Sequence, residues 1–131
     1  MAIKFSVASR NAQLDAHEAT VGASPKLRVL TGAAPASCAA AQTGTLLAEL
    51  TLPADWASNA ASGSKGLLGS WSGTVVADGV AGYYRILDNA GTTCHEQGTM
   101  GASGADLNGA TSLTTGQVLV ITAKTLTAGN A

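Results

Sequence analysis

Charge is what this sequence has least of: Asp, Glu, Lys and Arg make up 11% of 131 residues, where ordinary soluble domains carry roughly a quarter. With a formal net charge of −1, the basic footprint that nucleic acid demands is missing, so no nucleic-acid partner is expected. Aromatics are nearly as scarce, with one Phe, two Tyr and two Trp, which excludes a thick core and favours thin layers. No run approaches the 18 apolar residues of a membrane-spanning helix, so no membrane partner is expected. Met1-Ala2-Ile3-Lys4-Phe5 lacks a basic stretch followed by an apolar one, so no secretory signal is expected and the protein is placed in the cytoplasm that makes it. Two Cys and two His without CxxC or HxxxH spacing do not supply a tetrahedral zinc set, so neither metal nor cofactor is expected.

What fills the space is small: 26 Ala, 16 Gly, 15 Thr and 11 Ser, more than half of the chain. The length suits one domain, taken as residues 1–131. Ser9 stands as an N-cap before a helix at about 10–21, closed by Gly22 and Pro25, and Ile3 to Val7 reads as a short strand ahead of it. Leu14 and Val21 give the helix one weak apolar stripe, enough to cover a sheet.

From Lys26 to about 127 the period changes to two. Lys26 to Leu30 and Thr45 to Leu52 are strand-like, and in the second Leu46, Ala48, Leu50 and Leu52 share one face. Gly82 to Leu87 and Thr92 to Gln97 form a hairpin across Asp88-Asn89-Ala90-Gly91. Gly101 to Gly109 reads as a glycine-rich loop. Gln117 to Leu126 is a long final strand whose Val118 to Ile121 is apolar on both faces, pointing to a central position. Several short strands after one helix predict a mainly β fold, an antiparallel β-sandwich of jelly-roll-like type with one short N-terminal helix.

Residues able to do chemistry are few. Cys94-His95-Glu96 looks reactive, but neighbours on a strand face opposite ways, so Cys94 and His95 do not form a nucleophile–base pair. Both Cys38 and Cys94 are expected as reduced thiols on the compartment argument. His17 is expected on the exposed side of the helix. Gly101-Ala102-Ser103-Gly104-Ala105-Asp106 matches a calcium-binding nonapeptide only in part, and a single copy reads as a turn. Glu49, Asp55, Asp78, Asp88, Glu96 and Asp106 are scattered, with no spacing that marks a glycosidase pair. No catalytic residue is assigned. Trp56, Trp71, Tyr83 and Tyr84 read as core or interface anchors; Trp71 opens a strand and is expected in the core, whereas Trp56 lies in a small-residue connection and is expected at a partner contact.

The order of segments also resembles a known class. The helix end Val21-Gly22-Ala23-Ser24-Pro25, the strand Lys26-Leu27-Arg28-Val29-Leu30, the loop Thr31-Gly32-Ala33-Ala34-Pro35-Ala36, the run Thr43 to Leu50, Tyr84-Arg85-Ile86-Leu87-Asp88 and the close Val120-Ile121-Thr122-Ala123 to Gly129-Asn130-Ala131 resemble small structural proteins encoded among the head genes of tailed bacteriophages. The resemblance implies a non-enzymatic capsid cement or decoration protein that binds the outside of the shell and staples neighbouring capsomers. Its partners would be the major capsid protein and copies of itself, as a dimer or small oligomer. Two alternatives stand beside it: a tail, collar or head–tail joining protein, and a carbohydrate-binding β-sandwich using Trp56, Trp71 or Tyr83 as a platform.

Overall fold

The computed structural model describes residues 3–129. Met1, Ala2, Asn130 and Ala131, the ends of the expected domain and of the closing motif, lie outside the described residues. Helix α1 (Val7–Val21) begins earlier than the sequence pattern suggests, because the cap is Ser6, whose hydroxyl accepts from the Ser9 N–H at 3.1 Å. The expected strand at Ile3 to Val7 is absent; residues 3–6 carry no regular element and Val7 opens the helix. Gly22, at φ +89°, ends it by donating to the Glu18 carbonyl at 3.0 Å. Only Leu14 and Val21 are buried on α1, so it is the cover its weak stripe predicts.

Nine strands follow among the described residues: β1 (Lys26–Thr31), β2 (Leu46–Thr51), β3 (Ser64–Gly66), β4 (Ser72–Thr74), β5 (Gly79–Leu87), β6 (Cys94–Gly101), β7 (Leu107–Gly109), β8 (Ser112–Leu113) and β9 (Val118–Thr127). The hydrogen-bonded path runs β2-β1-β5-β6-β7-β9-β3, with β4 on β9 and β8 on β5. The fold is mainly β, and the sheet curls into a half-barrel. A bridge between Ala48 and Val75, with the Val76 N–H donating to Leu47 O at 2.7 Å, brings the end of β4, and with it its partner β9, back to β2. The sheet is mixed where an antiparallel one was expected, since β6 and β7 pair in parallel at Met100↔Leu107 and Gly101↔Asn108. A parallel pair normally needs a long crossover; here a five-residue reversal suffices because Asp106 accepts from the Thr99 N–H at 2.9 Å and folds the chain back on itself.

The expected hairpin is present as β5 and β6, with register Tyr84↔Gly98 and Ile86↔Glu96. Its turn is fixed by Asp88, whose carboxylate accepts from the Thr92 N–H at 2.8 Å, and by Gly91 at φ +73°. The final strand is present too, bonded to β7, β3 and β4, but it is not apolar on two buried faces. Leu119 and Ile121 point inward, whereas Val118 and Val120 are 63% and 51% exposed.

Trp56 and Trp71 fill the core centre, both 1% exposed and with ring centroids 6.1 Å apart. The assignment of Trp56 to a partner contact is therefore corrected. Its indole N–H donates to Gly22 O at 3.0 Å, so the small-residue connection turns inward to close the base of the helix. Trp71 is in the core as expected, its N–H shared between Trp56 O and Leu68 O at 3.2 Å each.

A second correction concerns the cysteines. Cys38 and Cys94 form a disulfide, with Cα atoms 5.3 Å apart. The connection between β1 and β2 folds across the outer side of β5 and β6 and carries Cys38 to the start of β6, a proximity that sequence separation does not reveal.

Candidate functional site

The densest polar chemistry lies at the inner face of β5, β6 and β9. Alternation along β5 and β6 places Tyr84 and Glu96 on the same side, and Lys124 reaches them from β9. The Lys124 ammonium donates to the Tyr84 hydroxyl at 2.9 Å, lies 2.5 Å from Glu96 Oε2, and stands 5.0 Å from the Tyr84 ring centroid. The Tyr84 hydroxyl donates to the same Glu96 oxygen. The other oxygen, Oε1, meets His17 Nε2 of α1 at 2.9 Å. His17 is thus turned toward the sheet, not to the exposed side of the helix, and its ring stands edge-on to Trp56 with centroids 6.4 Å apart.

Gly98, opposite Tyr84, leaves room for this arrangement: a Cβ there would lie 2.9 Å from Tyr84 Cε1 and 2.8 Å from Asp106 Oδ2. Tyr84, Glu96, Asp106, Lys124, Thr125 and Thr127 line an open polar cleft of about 410 Å³.

The electrostatics follow from the contacts. Burial pushes the Glu96 carboxyl up, but the His17 hydrogen bond, the Lys124 charge and the hydrogen bonds from Lys124 and Tyr84 outweigh it and hold the group down to about 2. Burial, then the neighbouring Glu96 charge, drives the Tyr84 hydroxyl far above its usual range. Both Glu96 oxygens are engaged, so the network ties α1, β5, β6 and β9 together as a closed set of charges and donors.

A second buried cation anchors the helix. Lys65 on β3 is 4% exposed and meets Glu18 at 2.5 Å and Asp15 at 2.9 Å. Its desolvation, which favours the neutral amine, is outweighed by those two carboxylates, and its pKa is raised.

Sequence reasoning named Glu96, Asp106, His17 and Tyr84 separately and did not join them; it missed Lys124 and Lys65 altogether. Cys94 is bound in the disulfide. The other carboxylates stay apart: Glu49 pairs with Arg28 at 2.7 Å, Asp78 accepts from the Thr115 N–H at 2.7 Å, and Asp88 serves its turn. Backbone and hydroxyl hydrogen bonds from Thr115 lower the Asp78 pKa. Among the described residues no group of three or more His, Cys, Asp or Glu side chains could hold a metal ion. Trp56, Trp71 and Tyr83 are all buried, so the aromatic platform expected of a carbohydrate-binding module is not on the surface. No family model, curated protein or solved structure matches the chain.

Proposed function

We propose that this chain is a non-enzymatic structural protein of a bacteriophage virion, a cement or decoration protein that binds the outside of the capsid shell and staples neighbouring capsomers. The observation that carries the reading is the contrast between its two faces. Among the described residues two of the three buried cations are neutralised internally, Lys124 by Glu96 and Lys65 by Glu18 and Asp15. The outward side of β4 and β9 instead presents Val118 and Val120, interleaved with Ser72 and Thr74, and Val76 stands just past the end of β4; all three valines are more than half exposed. An uncharged apolar strip on a rigid sheet suits repeated contact with a lattice, where desolvation of a small patch is multiplied over many copies.

The segment resemblance to phage head proteins points the same way. Within this reading the architecture is a two-layered, jelly-roll-like sandwich; the return of β4 to β2 at Ala48 and Val75 supports it. The protein is made in the host cytoplasm, assembles as a dimer or small oligomer, and takes the major capsid protein as its partner through the valine strip.

Quantifying the chain in purified particles by mass spectrometry tests the proposal. Copies comparable to those of the major capsid protein are expected. A handful per particle would move the protein to the tail, collar or head–tail joint, and absence from particles would refute the virion reading.

A further inference from the structure

The connection between β1 and β2 is held onto the sheet without burying any side chain of its own. Every residue from Gly32 to Thr45 is exposed or only half-buried. Yet the groups it lies against are covered: Tyr83 is 0% and Arg85 4% exposed. The segment covers them with backbone. Carbonyls of Ser37 and Ala40 accept from Arg85 Nη2 at 3.2 and 2.8 Å, that of Pro35 accepts from Gln97 Nε2 at 2.7 Å, and Thr43 exchanges hydrogen bonds with the Tyr83 hydroxyl.

This is an unfavourable place for a guanidinium. Among the described residues Arg85 has no ion pair; its Nε finds no hydrogen-bond partner, and neither does Oε1 of Gln97, its neighbour across the β5–β6 ladder. A buried cation held only by carbonyls gains by returning to water. The few hydrogen bonds over it contribute little net free energy against the entropy of ordering a connection with no regular element. One strong restraint remains, the half-exposed cystine Cys38–Cys94, which crosses directly from this segment to β6.

We infer that the Cys38–Cys94 disulfide is a redox-operated latch: oxidised, it holds segment 32–45 over Arg85, and reduced, it lets the segment lift and Arg85 hydrate while the sheet stays folded. The reductant is a dithiol. Its thiolate attacks one sulfur, the Cys38–Cys94 bond breaks as a mixed disulfide forms, and its second thiol then closes its own disulfide. Two electrons and two protons end on the sulfurs of Cys38 and Cys94. The partial exposure of both cysteines gives the attacking thiolate access.

The test compares the intact protein oxidised and after treatment with dithiothreitol, following amide hydrogen exchange and phenylglyoxal labelling of Arg85. In the oxidised protein the Thr43 amide, bonded to the Tyr83 hydroxyl, is expected to be protected and Arg85 unlabelled. On reduction, exchange in segment 32–45 should accelerate about tenfold or more by local opening, Arg85 should label, and the amides of Tyr84 and Glu96 should keep their protection; reoxidation should restore the first state. The double variant Cys38→Ser with Cys94→Ser should reproduce the reduced pattern without any reductant. Unchanged Thr43 exchange and Arg85 labelling in fully reduced protein would overturn the inference. So would loss of protection in β5 and β6 together with the segment, because the cystine would then hold the whole fold, and so would a cystine that dithiothreitol does not open in the native state.

Discussion

Lys124 on β9 and Glu96 on β6 form an ion pair of 2.5 Å whose members are 3% and 11% exposed at the side chain. The pair joins strands separated by β7 in the sheet. Replacing only Lys124 with Met leaves a buried carboxylate without its ammonium and is expected to cost about 3–5 kcal/mol. The double variant Lys124→Met with Glu96→Gln should recover a large part of that loss, and urea melts of the two singles and the double would measure the coupling.

The same pair sets the response to acid. The Glu96 pKa is depressed from 4.5 to about 2 in the folded protein, so its contribution is fully present above the unfolded value and is lost as pH falls from about 4.5 toward 2, on the order of 3 kcal/mol in all. Lys65 acts at the other end: its folded pKa is raised above 10.5, so its contribution is present below that value and disappears as pH rises through the raised one. Thermal melts across pH should show an acid loss that Glu96→Gln flattens.

Trp56 and Trp71 are expected to behave alike. Each Trp→Ala change should cost about 3–5 kcal/mol as a core cavity. Because the rings are in contact, the double variant should cost less than the sum of the singles. Denaturant melts decide; a Trp56→Ala protein as stable as the parent would contradict its placement beneath α1.

The valine strip gives the opposite signature. Val118→Lys or Val120→Lys should leave the stability of the free protein within about 0.5 kcal/mol, because both side chains already face water. If the strip is the shell contact, either change should weaken binding to stripped particles by about 2 kcal/mol or more. Co-sedimentation with particles reads this directly.

Gly98→Ala is expected to destabilise by about 1–3 kcal/mol through overpacking, since the added methyl would press on both the Tyr84 ring and the Asp106 carboxylate. A melt of this variant beside Gly104→Ala, where a Cβ meets nothing within 4 Å but the left-handed backbone is strained, separates crowding from conformational cost.

Local chemistry made part of this fold legible. Asp88 and Gly91 announce the hairpin, Gly22 the helix end, and the spacing of Ala48 and Leu50 the inner face of β2; Leu46, expected with them, is turned to the other face by a register slip opposite Val29 and Leu30, and Leu47 enters the core in its place. Lys124 was hidden by a single irregularity. Along β9, Leu119 and Ile121 point inward, which by alternation would turn Ala123 in and Lys124 out. Between Asn108 and Gly109 the register with β7 slips, pairing Asn108 with Ala123 but Gly109 with Ile121. Thr122 is the extra residue, and past it the phase inverts, leaving Ala123 exposed and Lys124 buried. Trp56 and the cystine were hidden for another reason: each depends on how an irregular connection lies in space, and neither has a period to read.

The covering segment between β1 and β2 has a consequence for how this protein can change. What it supplies to the sheet is mainly the oxygen of the main chain, and Ala33, Ala34, Ala36, Ala39 and Ala41 place their methyls where no core depends on them. Side-chain identity at these alanines is therefore nearly free, whereas the path of the backbone is not. A foreign peptide inserted beside Ala41 would be displayed on a tether already fastened at Cys38 on one side and at Thr43 on the other.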